Sequence, residues 1–152
     1  MTEPDPMMAE ISRGIALSHS GEREAARSLF AGLWDAIGAT GDALHRCVLA
    51  HSMADVQDDP RAELVWDLRA LEVADLISDE RARQGGVAGS VVVFYPSLHL
   101  NLGDVYRRLG DLDRARDHLS RGRAAVGELG DDEYGQLIRG GLDRLAHQLS
   151  TA

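Results

Sequence analysis

Leu102-Gly103-Asp104-Val105-Tyr106-Arg107-Arg108-Leu109-Gly110, continued by Asp111-Leu112-Asp113-Arg114-Ala115 and then Leu119, is the stretch that decides the fold. It reads L-G-x2-Y, then a glycine turn, then A-x3-L. A small residue at Gly103 lets the second helix of a pair approach closely, and Ala115 is its counterpart on that second helix. Gly110 ends the first helix in a left-handed turn that would strain a side chain.

The layout recurs upstream. Gly14-x2-Leu17, Gly21 and Ala26-x3-Phe30 repeat it, and the step from Gly14 to Ala26 equals the step from Gly103 to Ala115. Leu49-Ala50-x2-Met53 followed by Ala62-x3-Trp66 keeps the step again. Its turn is Gln57-Asp58-Asp59-Pro60, with Asp59 a natural N-cap and Pro60 at the first helical position. Downstream, Tyr134, Leu137, Ile138, Gly141, Leu142, Leu145, Ala146 and Leu149 recur at helical spacing as one apolar face. Asp131 and Asp132 suit the N-terminus of that helix, where negative charge meets the positive end of the dipole.

The pattern L-G-x2-Y…A-x3-F resembles a tetratricopeptide repeat. The resemblance implies an all-α, tetratricopeptide-like right-handed superhelix of helical hairpins, with about seven helices. It places repeats at about 7–39, 43–79 and 96–129 and a capping helix at 131–149, in one domain over 1–152. A solenoid needs a final helix to cover its last repeat, and the terminal helix fits that role.

Composition bounds the function. The chain has 152 residues, 44% of them apolar, enough for one domain with a sizeable core. The net charge is −9, and all sixteen basic residues are arginine. That balance argues against nucleic acid and against an anionic membrane surface as partners. One cysteine, Cys47, excludes an internal disulfide and any CxxC motif. There is no basic start followed by an apolar run, and no apolar stretch near the ~20 residues that span a bilayer. These features predict a cytoplasmic acidic protein. Neither HExxH, nor GxSxG, nor a phosphate-binding glycine loop, nor a paired-carboxylate constellation is present, so no enzyme and no cofactor is expected.

The stretch 80–95 breaks the repeat as an insert, with Gly85-Gly86, Gly89 and the run Val91-Val92-Val93-Phe94-Tyr95. Tyr95 precedes proline and is expected to be extended. Five apolar residues together are expected to be shielded from water, against the helices or against a second copy of the chain.

Tetratricopeptide arrays bind peptides or proteins along the groove formed by the first helix of each hairpin. In this register the groove positions are Ser12 and His19 beside Ile11 and Ile15, then Cys47, His51 and Asp55, then Asn101, Asp104 and Arg108. Some members hold a terminal carboxylate with Lys, Asn and Arg at such places. Asn101 matches one of them, but Ile11 and Ile15 stand where Lys and Asn are needed, which argues against that clamp. Cys47, His51 and Asp55 fall at i, i+4 and i+8 on one helix face. Thiolate, imidazole and carboxylate are credible metal ligands, so a metal-ion or small-molecule sensor is the alternative to a peptide-binding scaffold. Three ligands spread over more than two turns do not easily reach one ion, and the reading here assigns no metal.

The remaining groups read as structural. His99 is expected as a packed core histidine, while His45, His118 and His147 have no recognisable partner. Trp34 and Trp66 are expected in the core. Residues 107 to 123 carry Arg107, Arg108, Arg114, Arg116, Arg121 and Arg123 among Asp111, Asp113 and Asp117, a solvated face paired at helical spacing rather than an anion site.

Overall fold

Every long helix begins or ends where local chemistry dictates. A computed structural model describes residues 5–84 and 94–152. In chain order these form α1 (Pro6–His19), α2 (Arg23–Ile37), α3 (Ala43–Asp55), α4 (Pro60–Ala74), α5 (Asp79–Gln84), α6 (Phe94–Arg108), α7 (Leu112–Ala125), a 3-10 turn (Val126–Glu128) and α8 (Glu133–Ser150). Among the described residues there is no strand. Aspartate caps five of the helices. The Asp5, Asp42, Asp59, Asp111 and Asp132 carboxylates accept from the first-turn amides of Met8, His45, Arg61, Arg114 and Gly135. Pro6 and Pro60 open α1 and α4, where a missing N–H costs nothing. Gly110, at φ +85°, closes α6 as its sequence predicts.

The chain divides into two compact units, Met1–Ser90 and Val91–Ala152. In the first, Ile11, Ala26, Phe30, Leu49, Met53 and Val56 form the core, with Trp34 and Trp66 half-buried against it in an edge-to-face pair 5.0 Å apart. A Cβ at Gly14 would run into the Phe30 ring, so glycine is what lets α1 and α2 close. Two arginines of α2 tie it to the α3–α4 turn. Arg27 donates twice to the Val56 carbonyl, and Arg23 donates to the carbonyls of Asp55 and Gln57, cations meeting the negative end of α3.

In the second unit, Ala115, Leu119, Leu129, Ile138, Leu142, Leu145 and Leu149 form the core. A Cβ on Gly103 would lie 3.4 Å from the Ala115 carbonyl oxygen and 2.6 Å from Leu145 Cδ2, so α6 touches α7 and α8 at one point through a missing side chain. The small-residue pairing read from the sequence is therefore the contact that seats this hairpin. The second copy is looser, since Ala62 is only half-buried.

Three expectations are corrected. Tyr95 is helical, not extended. Pro96 falls in the first turn of α6, where no hydrogen bond is lost, and the Tyr95 ring gains a stack on His99 one turn on, at 6.2 Å. The insert opens with helix α5 rather than loop; residues 85–93, with most of the apolar run, lie outside the described residues. Tyr134 and Leu137 are 45% and 63% exposed, so the buried large apolar side chains of α8 start at Ile138.

Candidate functional site

The groove positions of the first unit divide into a surface pair and a buried one. His19 and Asp55 are exposed at the ends of α1 and α3. Cys47 is buried, and its thiol donates to the Ala70 carbonyl at 3.4 Å. It packs α3 on α4 rather than facing a ligand, and burial pushes the thiol up to about 12, so no thiolate nucleophile forms near neutral pH. His51 is half-buried between these, one turn before Asp55.

Beside His51 stands a residue the sequence reading missed. Asp67 of α4 is fully buried, and neither carboxylate oxygen accepts a hydrogen bond among the described residues. The His51 Nδ1 lies 3.8 Å from it. Burial pushes the Asp67 carboxyl up to about 6, only partly offset by His51, while Glu63 and Asp55 add negative charge that raises it further. Burial works against the His51 imidazolium, but Asp67 and Asp55 outweigh it and its pKa is raised. Helical spacing carried a signal: Asp67 falls on the same stripe as the buried Ala70, Val73 and Ala74.

In the second unit, Asn101 and Asp104 of α6 open onto a cleft of about 270 Å³ against α8. Leu100, Gly141 and Leu145 supply its apolar surface, and Arg144 and Gln148 of α8 its other polar groups. Gly141 sets the fit, because a Cβ there would come within 2.6 Å of Leu100 Cδ2. Asp104 is held between two arginines, Arg107 at 2.9 Å and Arg108 at 3.0 Å. Arg108 thus pairs with Asp104 at i, i+4, as its spacing predicts. Arg144 makes no ion pair among the described residues. The cleft therefore offers a neutralised carboxylate, two amides and one available guanidinium. Arg144 and Gln148 each sit one residue before the apolar Leu145 and Leu149, the flank of a stripe read only for its core face.

Among the described residues, no three His, Cys, Asp or Glu side chains converge as a ligand set. The arginine-rich stretch is paired locally as expected: Arg114 with Asp111 at 2.6 Å, Arg121 with Asp117 at 3.2 Å, Arg116 with Asp113 at 3.8 Å. Two histidines read as partnerless have partners. His45 contacts Asp5 at 2.8 Å. His118 and His99 meet Nδ1 to Nδ1 at 3.0 Å, both buried, within a stack running Tyr95–His99–His118–Tyr106. His45 finds its partner 40 residues away at the start of α1, and His118 finds its own across the α6–α7 hairpin.

Residues 96–121 match the family model of the tetratricopeptide repeat. The match covers the α6–α7 hairpin up to the last turn of α7. No curated protein and no solved structure matches the chain. No helix among the described residues is long and apolar enough to cross a membrane.

Proposed function

From the premise that the chain is a tetratricopeptide-repeat-like protein of helical hairpins, we propose that it is a protein-interaction scaffold that binds an extended peptide segment without turnover. The observation that carries this reading is the α6/α8 cleft, in which Asn101, Arg144 and Gln148 surround an apolar floor. An extended peptide presents a donor or acceptor at every residue, and side-chain amides satisfy either. Arg144 is the group for a carboxylate of the partner, held bidentately. Asp104 serves as a fixed anion whose charge Arg107 and Arg108 balance, and Arg108 exchanges from it to a ligand carboxylate. His19, His51 and Asp55 are the corresponding positions of the first unit. Cys47 contributes packing alone.

A photo-crosslinking residue at Gln148 tests the site in the native cell. A discrete adduct that disappears when Arg144 is replaced by alanine supports the reading. Adducts that persist unchanged in Arg144→Ala place the partner elsewhere.

A further inference from the structure

The two units differ sharply in charge. Residues 1–90 hold sixteen Asp and Glu against eight Arg, a balance of −8; residues 91–152 hold nine against eight, a balance of −1. Nearly all of the net negative charge belongs to the first unit, and its second hairpin concentrates a share around one point. Asp55 ends α3. Glu63 and Asp67 stand at i and i+4 on α4. Asp55 and Glu63 both act electrostatically on Asp67.

Acidic residues alone make no site. Here one of them, Asp67, is fully buried, and neither oxygen accepts a hydrogen bond among the described residues. Buried carboxylates in folded proteins are normally satisfied, and one left without donors is costly. Among the described residues it makes one ion-pair contact, with the His51 imidazole at 3.8 Å, too far for a hydrogen bond. That imidazole is itself 28% exposed, so it reaches from solvent to within 3.8 Å of the buried Asp67. Arg23, which acts on Asp55, already donates to two carbonyls and to the Asp58 carboxylate.

We propose that the second hairpin carries an acidic subsite for a basic side chain of the bound peptide, arginine foremost, with Asp67 as its floor and His51 as a displaceable cover. This rests on the reading of the chain as a peptide-binding scaffold and names the partner chemistry for its first unit. A guanidinium supplies two parallel N–H donors that match the two orphaned oxygens, where an ammonium supplies a point charge. Its weaker hydration also suits entry to a buried site. Rotation of His51 outward replaces a long ion pair with two short hydrogen bonds. Asp55 and Glu63 add negative charge around Asp67, and the balance of −8 draws basic segments toward the unit. The charged groups acting on His51 and Asp55 are Asp67 from α4, His19 from α1 and Arg23 from α2.

Blocked pentapeptides with a central arginine, lysine or citrulline test the proposal by NMR, read at the His51 imidazole of the full chain. Citrulline keeps the shape of arginine and lacks the charge. The arginine peptide is expected to shift His51 saturably, to bind about tenfold or more tightly than the citrulline peptide, and to lower the His51 pKa as Asp67 turns to the ligand. Asp67→Asn should weaken the arginine peptide about tenfold, whereas Glu72→Gln, an exposed acid on the same helix, should change it less than twofold. His51→Ala, with affinity read by calorimetry because the imidazole reporter is gone, removes the cover and should preserve or tighten binding of the arginine peptide, which keeps the test open if Asp67→Asn does not fold. Equal losses in Asp67→Asn and Glu72→Gln, equal binding of citrulline, or a silent His51 overturns the subsite. Tighter binding of free spermidine than of either basic peptide overturns the peptide as its source. A failure here with intact Arg144-dependent crosslinking removes the subsite and leaves the scaffold reading standing.

Discussion

Ala115 and the His99–His118 pair are the residues on which the second unit turns. Ala115 is fully buried, with its carbonyl 3.4 Å from where a Cβ on Gly103 would stand. Ala115→Leu adds three carbons to that crossing and should destabilise the protein by about 1–3 kcal/mol through overpacking. A chemical-denaturation midpoint equal to wild type would show that the crossing is not tight. The histidine pair makes a prediction in pH. Burial holds His99 down to about 4, with His118 and Arg121 adding to it, and burial then Arg121 lower His118 as well. Both therefore bind fewer protons folded than unfolded, where the pKa is about 6.5. Their contribution to stability is full above pH 6.5 and is lost as pH falls toward 4. Two imidazoliums cannot share one 3.0 Å contact. Asp67 works in the opposite sense, because its buried charge is relieved as pH falls through about 6. The units can be followed separately, since both tryptophans lie in the first and all three tyrosines in the second. Between pH 7.5 and 5, the urea midpoint read by tyrosine and histidine NMR should fall, and His118→Gln should flatten that dependence. An unchanged midpoint in wild type would contradict it.

At the scale of elements, helix α5 is tied to the first unit by the charge of Arg81. Arg81 donates to Asp42 at 2.6 Å and to Asp5 at 3.0 Å, and His45 lies 2.8 Å from Asp5. Asp5 and Asp42 also cap α1 and α3, so one arginine joins three helix starts. Burial resists ionisation of Asp5, but His45, the Met8 amide and Arg81 outweigh it and hold the carboxyl down to about 2. The network therefore persists into mild acid. Arg81→Ala should cost about 1–2 kcal/mol and speed hydrogen exchange over 79–84 more than over α2 or α4. Uniform exchange rates in the variant would show that α5 is anchored otherwise. This helix was illegible in the sequence because its partners are far away in the chain and it matches no repeat. The long helices were legible for the converse reason. Gly103 with Ala115, Asp59 with Pro60, and Gly110 each act within a turn or a hairpin, where sequence spacing and spatial distance coincide. Tyr95 misled, because the bias imposed by a following proline yields when that proline sits in a first turn and the ring gains a stack.

On the scale of the whole molecule, the candidate site was half legible. Asn101, Asp104 and Arg108 follow from the register of one repeat, and Asp104 pairs with Arg108 as that register predicts. Arg144 and Gln148 come from the capping helix, which the periodicity describes as a lid and not as a wall of the cleft. Asp67 was hidden because it sits on the second helix of its hairpin, outside the groove positions that the register names. Cys47 was placed on a polar face by spacing alone, although a lone thiol behaves as a small hydrophobe. The account as a whole stands on the claim that the α6/α8 cleft binds a peptide through Arg144. The direct measurement is calorimetry of the crosslinked partner's segment against wild type and Arg144→Ala. The account predicts a loss of about 1.5–3 kcal/mol in affinity with an unchanged melting temperature, because Arg144 is exposed and contributes little to folding. Wild-type affinity in Arg144→Ala would contradict it.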